Sequence, residues 1–183
     1  CFERQPRIIS HAAIAGKKEG EGPLKNCFDI VSADSYFGQE SWEKAESEML
    51  RQCFDTACRK AGLSTGELDC VLAGDLLNQC VSSSFAMKDS KVPYFGLYGA
   101  CSTMVEALSL GAMLVDGGFA GRLACLTGSH FCTAERQYRL PLEYGGQRER
   151  QRSDQRGGDA VEDRQLQRNS GALFRKMIDA DDR

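Results

Sequence analysis

Apolar residues recur along this chain with two periods, and the switches between them outline its main elements. Trp42, Ala45, Met49, Cys53 and Ala57 fall three or four residues apart, with Leu50 and Phe54 widening the stripe. Glu40, Glu43, Lys44, Glu46 and Glu48 take the opposite face. That is the 3.6-residue period of an amphipathic helix. Ser41 offers an N-cap hydroxyl and Gly62 a left-handed terminator, so a helix is predicted between them. Three short apolar runs, Leu68–Gly74, Val92–Tyr98 and Arg122–Gly128, are bounded by turn residues and read as buried strands. Between the last two lies a stretch from about Ser102 to Asp116 that is apolar nearly all round. It predicts a centrally buried helix, ended by Gly117-Gly118.

The ends are less regular. Residues 1–25 carry Phe2, Ile8, Ile9 and Ile14, then a Gly- and Lys-rich run to Pro23. An edge strand followed by an exposed loop fits. Residues 26–40 show no clean period, and 136–147 read as an irregular loop over a pocket. From Arg148 the composition changes to mixed charge with few aromatics, which predicts a low-order tail or at most a marginal helix. Strands alternating with helices predict an α/β layered fold over 1–147, followed by a tail over 148–183.

A length of 183 residues bounds this to one domain with an appendage. The formal net charge of −3 and the absence of a basic helix exclude a nucleic-acid binder. Nine cysteines, none in a CxxC pair, fall largely in apolar runs, where cysteine acts as a small hydrophobe. With only two histidines, neither a disulfide framework nor a metal site is expected. The longest apolar run, Leu97–Val115, contains Ser102, Thr103, Glu106 and Ser109, so it reads as a buried helix and any membrane link would come through a partner. The chain starts with Cys1 rather than Met, which fits a fragment.

Chemistry concentrates where Gly99-Ala-Cys-Ser-Thr103 turns from strand into helix. A thiol at a helix N-terminus feels unsatisfied amides and the positive end of the dipole, which favour thiolate. The same place suits a carboxylate ligand. Cys101 is therefore a nucleophile, the floor of an anion pocket, or a core thiol. Asp75 and Asn78 follow one strand, and Ser129 and His130 follow another. In open α/β sheets ligands collect at such strand ends. Asp75 is equally explained as a helix cap.

Several motifs together resemble a known family. They are Leu72-Ala-Gly-Asp-Leu-Leu-Asn-Gln79, Tyr98-Gly-Ala-Cys-Ser-Thr103, Leu114-Val-Asp-Gly-Gly-Phe-Ala120, Ser129-His130, Thr133-Ala-Glu-Arg-Gln137 and Glu143-Tyr-Gly-Gly-Gln147. Over about residues 1–147 the chain resembles the stage V sporulation protein AD family, thiolase-like proteins of spore-forming bacteria. The Gly-Ala-Cys segment is also similar to β-ketoacyl-acyl-carrier-protein synthase III. The resemblance implies a thiolase-like αβαβα fold of two similar halves, of which this chain holds the first. After Gln147 the family continues into a hydroxyl-rich stretch; the Arg- and Gln-rich run here fits a shifted reading frame or a truncation.

The resemblance implies a binding protein rather than an enzyme. Its ligand would be dipicolinic acid (pyridine-2,6-dicarboxylic acid) or its calcium chelate, taken into the forespore and released in germination. The family acts with other proteins of the stage V sporulation membrane complex, which implies a cytoplasmic forespore location at the spore inner membrane. Carried over residue by residue, Asp75, Asn78, Cys101, Ser102 and His130 would line the site, with no cofactor and no resident metal. The alternatives are acyl transfer through Cys101 as nucleophile and an inactive truncated fragment. A half-fold also exposes apolar surface, so self-association is expected.

Overall fold

The computed structural model describes residues 2–75, 80–128 and 168–175, with side chains except those of Lys18, Cys101 and 168–175. Six strands form one sheet: β1 (Arg7–Ala15), β2 (Ile30–Val31), β3 (Cys70–Asp75), β4 (Tyr94–Leu97), β5 (Arg122–Gly128) and β6 (Arg168–Arg175), in the order β2-β1-β6-β5-β3-β4. Neighbours are parallel except β6, which runs antiparallel to both β1 and β5. The helices are α1 (Lys17–Gly20), α2 (Trp42–Ala61), α3 (Val81–Met87) and α4 (Thr103–Gly117).

The strand period of two explains the layering. On β3, Val71 and Ala73 face one side and Cys70 and Leu72 the other; on β5, Ala124 and Leu126 oppose Leu123 and Cys125. The first set packs with Met49, Leu50, Cys53, Phe54 and Ala57 of α2 and with Ala86 and Met87 of α3. The second packs with Ala107 and Val115 of α4. Both faces are covered, which is why β3 and β5 read as continuous apolar runs rather than alternating ones.

The predicted helix boundaries hold at α2. Ser41 Oγ accepts the Lys44 amide at 3.3 Å, and Gly62 sits in the left-handed region (φ 68) with its N–H on the Arg59 and Cys58 carbonyls. Trp42 stacks on Tyr36 with ring centroids 3.9 Å apart.

Four expectations are corrected. β1 is an interior strand, not an edge: β6 covers one side, and the two-residue β2 takes the edge. The loop after it contains the short helix α1, in which Glu19 is buried. Nor is α4 enclosed. Ala107, Gly111, Ala112 and Val115 are buried against the sheet, but Val105, Leu110 and Met113 are exposed. A helix that is apolar all round needs cover on two sides, and the described residues supply one. Residues 168–175, placed by composition in a low-order tail, form β6. Backbone pairing to β1 and β5 on its two sides supplies what local periodicity does not. The rest of 148–183, and the loop expected over 136–147, lie outside the described residues.

Candidate functional site

The turn between β4 and α4 is built by hydrogen bonds within five residues. Ala100–Ser102 form one turn of 3-10 helix, and α4 begins at Thr103. The Ser102 amide and hydroxyl both donate to the Gly99 carbonyl, at 2.9 Å and 2.7 Å. Thr103 Oγ1 accepts the Gly99 amide at 3.1 Å and donates to the Ala100 carbonyl at 2.9 Å. Ala100 is held at φ 48, a left-handed conformation that costs a non-glycine residue energy. A Cβ at Gly99 would lie 2.7 Å from Glu106 Oε2 and 2.8 Å from Ser102 Oγ, so those side-chain ends would have to move.

Asp75 ends β3 beside this turn, since Gly74 pairs with Leu97. A Cβ on Gly74 would lie 2.2 Å from the Leu97 carbonyl oxygen and 2.7 Å from Thr103 Cγ2, so the two strand ends meet with no room between them. Asp75 is 3% exposed. Its Oδ2 accepts the Ser82 amide at 2.8 Å and its Oδ1 the Ser83 amide at 2.9 Å. The cap explanation thus describes its geometry: Asp75 closes the N-terminus of α3 from the preceding strand. Burial pushes its carboxyl above the ordinary value, and hydrogen bonds from Ser83 and Ser82 pull against that rise.

A second layer of polar contacts joins α3 to β4. Ser83 Oγ and Tyr94 OH are 2.8 Å apart, and Cys80 Sγ donates to the Leu97 carbonyl at 3.2 Å. Burial, and then the charge of Asp75, raises the Cys80 thiol. Burial also raises the Tyr94 hydroxyl, against the Ser83 and Ser84 hydroxyls. In the first turn of α4, Glu106 Oε2 is buried with no hydrogen-bond partner.

Of the residues singled out from sequence, Asp75, Cys101 and Ser102 come together at the carboxyl ends of β3 and β4, with Ser102 exposed. Asn78, Ser129 and His130 lie outside the described residues. The other histidine, His11, is on β1 close to Asp29 and away from the turn. Thr103, Ser83 and Tyr94 were missed as parts of this region. The signal for Thr103 is a hydroxyl at the first helical position after a small-residue turn, where Ser and Thr bond local backbone. Among the described residues no group of three or more His, Cys, Asp or Glu side chains is placed to hold a metal ion, and no helix is long and apolar enough to cross a membrane.

A mixed sheet with helices on both faces and a cysteine on a strand–turn–helix corner defines a thiolase-like protein. Solved structures agree on the fold. The chain is similar to 3-oxoacyl-[acyl-carrier-protein] synthase III from Aquifex aeolicus VF5, with TM-score 0.56 and 17% identity over 95% of this chain and 55% of that one. It is also similar to OleA H285N of Xanthomonas campestris, with TM-score 0.55 and 9% identity over 93% and 56%. Within that class the chain belongs to the stage V sporulation protein AD family, whose model matches residues 1–159. It is 42% identical over 147 residues to stage V sporulation protein AD of Bacillus subtilis (strain 168), covering 80% of this chain and 44% of the relative. It therefore spans less than half the length of that relative, and membership places it among sporulation proteins.

Proposed function

We propose that the chain contributes to binding dipicolinic acid, free or as its calcium chelate, for uptake into the forespore and release in germination, in company with the stage V sporulation membrane complex. The observation that carries this reading is the Gly99–Thr103 corner. It delivers Cys101 and Ser102 to the N-terminal end of the fifteen-residue helix α4, where the dipole favours a carboxylate. Asp75 stands beside it, buried, with its oxygens accepting the Ser82 and Ser83 amides. A carboxylate oxygen is the kind of ligand that a calcium ion carried with dipicolinic acid would take. Asn78 and His130 complete the proposed contact set.

The test is thermal unfolding with dipicolinic acid, with and without calcium. The ligand raises the melting temperature of the wild-type chain, and Cys101→Ala and Ser102→Ala each shrink the rise. No rise under either condition would sink the reading.

One observation favours a second reading, acyl transfer. Ala100, the residue before Cys101, holds a left-handed backbone, and such outliers cluster at functional sites. The Cys101 thiolate would then attack the carbonyl carbon of an acyl-CoA thioester, forming a new thioester as the C–S bond to CoA breaks and the CoA thiolate leaves. A mass increase of one acetyl group on Cys101 after incubation with acetyl-CoA decides for it.

A further inference from the structure

We infer that Thr103 is the positioning residue of the Cys101 corner, acting through its hydroxyl. The inference rests on the ligand site proposed above for its functional arm only. Three features single it out. Thr103 is completely buried. Its one hydroxyl spans the corner, accepting from the Gly99 amide at 3.1 Å and donating to the Ala100 carbonyl at 2.9 Å. The residue thus clamped, Ala100, is the one in the left-handed conformation.

A strained backbone persists only where its surroundings over-determine it. Here the two Thr103 bonds hold the Gly99 amide ahead of the strained residue and the Ala100 carbonyl that follows its Cα. Ser102 Oγ also bonds the Gly99 carbonyl, but Ser102 is exposed and water competes for it. The Thr103 bonds are partly buried, so water competes for them less and they are the stronger restraint. The threonine methyl faces Gly74 at the end of β3. The hydroxyl therefore sets the shape of the corner, while the methyl sets its distance from β3. Cys101 and Ser102 are presented by that shape.

The test compares Thr103→Val, which removes the hydroxyl at nearly constant volume, with Thr103→Ser, which keeps it. Two readouts are taken: hydrogen exchange of the Gly99 amide, and dipicolinic acid affinity by calorimetry. Losing a partly buried hydrogen bond is worth about a tenfold change. Thr103→Val should speed Gly99 exchange about tenfold and weaken binding about tenfold, while Thr103→Ser stays within about twofold of wild type on both. Unchanged exchange in Thr103→Val, or equal losses in the two variants, overturns the inference. So does a Thr103→Val chain that does not fold, because the hydroxyl would then hold the fold and not the corner. A wild-type chain that fails to bind sinks the ligand reading alone, and the exchange arm still decides the role of Thr103.

Discussion

Asp75 Oδ1 accepts the backbone amide of Ser83 at 2.9 Å, reaching from the end of β3 into the first turn of α3. With the Ser82 amide on Oδ2, the carboxylate does for α3 what its own N-cap does not: Cys80 has a left-handed backbone and makes no side-chain cap bond. Asp75→Ala leaves two amides without their buried acceptor, at a cost of about 2 kcal/mol. For a chain of this size that lowers the melting temperature by roughly 4–8 °C. Circular dichroism melts of wild type, Asp75→Asn and Asp75→Ala should rank in that order. An Asp75→Ala melt equal to wild type would show that the cap contributes nothing.

Asp75 and Asp29 should pull stability in opposite directions with pH. Burial raises the Asp75 carboxyl above 3.8, so its favourable contribution is complete below the unfolded value and is lost as pH rises through the folded one. Burial also pushes Asp29 up, but the Lys60 ammonium at 2.8 Å and the Ala13 amide at 3.0 Å outweigh it, leaving the group lowered. Its contribution is present above 3.8 and is lost as pH falls through the folded value. Between about pH 3 and 6, the stability of wild type relative to Asp29→Asn should grow, while that relative to Asp75→Asn should shrink. Urea midpoints across the range read both slopes, and slopes of the same sign would contradict the assignment.

Two glycines at the corner differ in what an added methyl would meet. At Gly74 it would lie 2.2 Å from the Leu97 carbonyl oxygen, a backbone atom fixed by the β3–β4 ladder. At Gly99 the nearest atoms are the ends of the Glu106 and Ser102 side chains, which can rotate away. Gly74→Ala should cost about 3 kcal/mol by overpacking, and Gly99→Ala clearly less. Gly99→Ala should nonetheless weaken ligand binding, because Ser102 must move. Equal melting temperatures for the two variants would count against this packing.

The buried cysteines should be chemically silent. Burial, then neighbouring charge, pushes Cys53 and Cys125 up to about 12 and Cys58 up to about 11. Cys53 and Cys125 donate to the Ala12 and Ala107 carbonyls, the behaviour of structural thiols. Cys27 is exposed. Iodoacetamide at about pH 8 should modify Cys27 in the native chain and reach Cys53, Cys58 and Cys125 only after urea is added. Peptide mass spectrometry reads each site, and native labelling of Cys125 at the rate of Cys27 would refute its burial.

How far the fold was legible follows from how local its causes are. α2 was readable to its caps because Ser41 and Gly62 act within a few residues of themselves. β3 and β5 were readable because burial on both faces leaves a continuous apolar run. The interior position of β1 was not, because the strand that covers it comes from residues 168–175, whose composition carries no strand period. At the site, the small residues around Cys101 announced a tight corner. A cap role for Asp75 was readable from its place after β3, but that it meets the Ser82 and Ser83 amides, and that Thr103 spans Gly99 and Ala100, depends on distances across folded elements.

The outer side of α4 should govern association. Val105 is 64% exposed and Met113 59%, on the side opposite Ala107 and Val115, and Phe119 just beyond the helix is 82% exposed. Water-facing apolar groups at helical spacing form a patch that a second copy of the chain can cover. We therefore expect the wild-type chain to self-associate, and the double variant Val105→Lys, Met113→Lys to stay monomeric. Because these side chains make little contact within the chain, the double variant should melt within a few degrees of wild type. Multi-angle light scattering over a concentration series measures the mass directly. A monodisperse wild-type monomer would count against association, and a double variant that associates as fully as wild type would move the interface off α4.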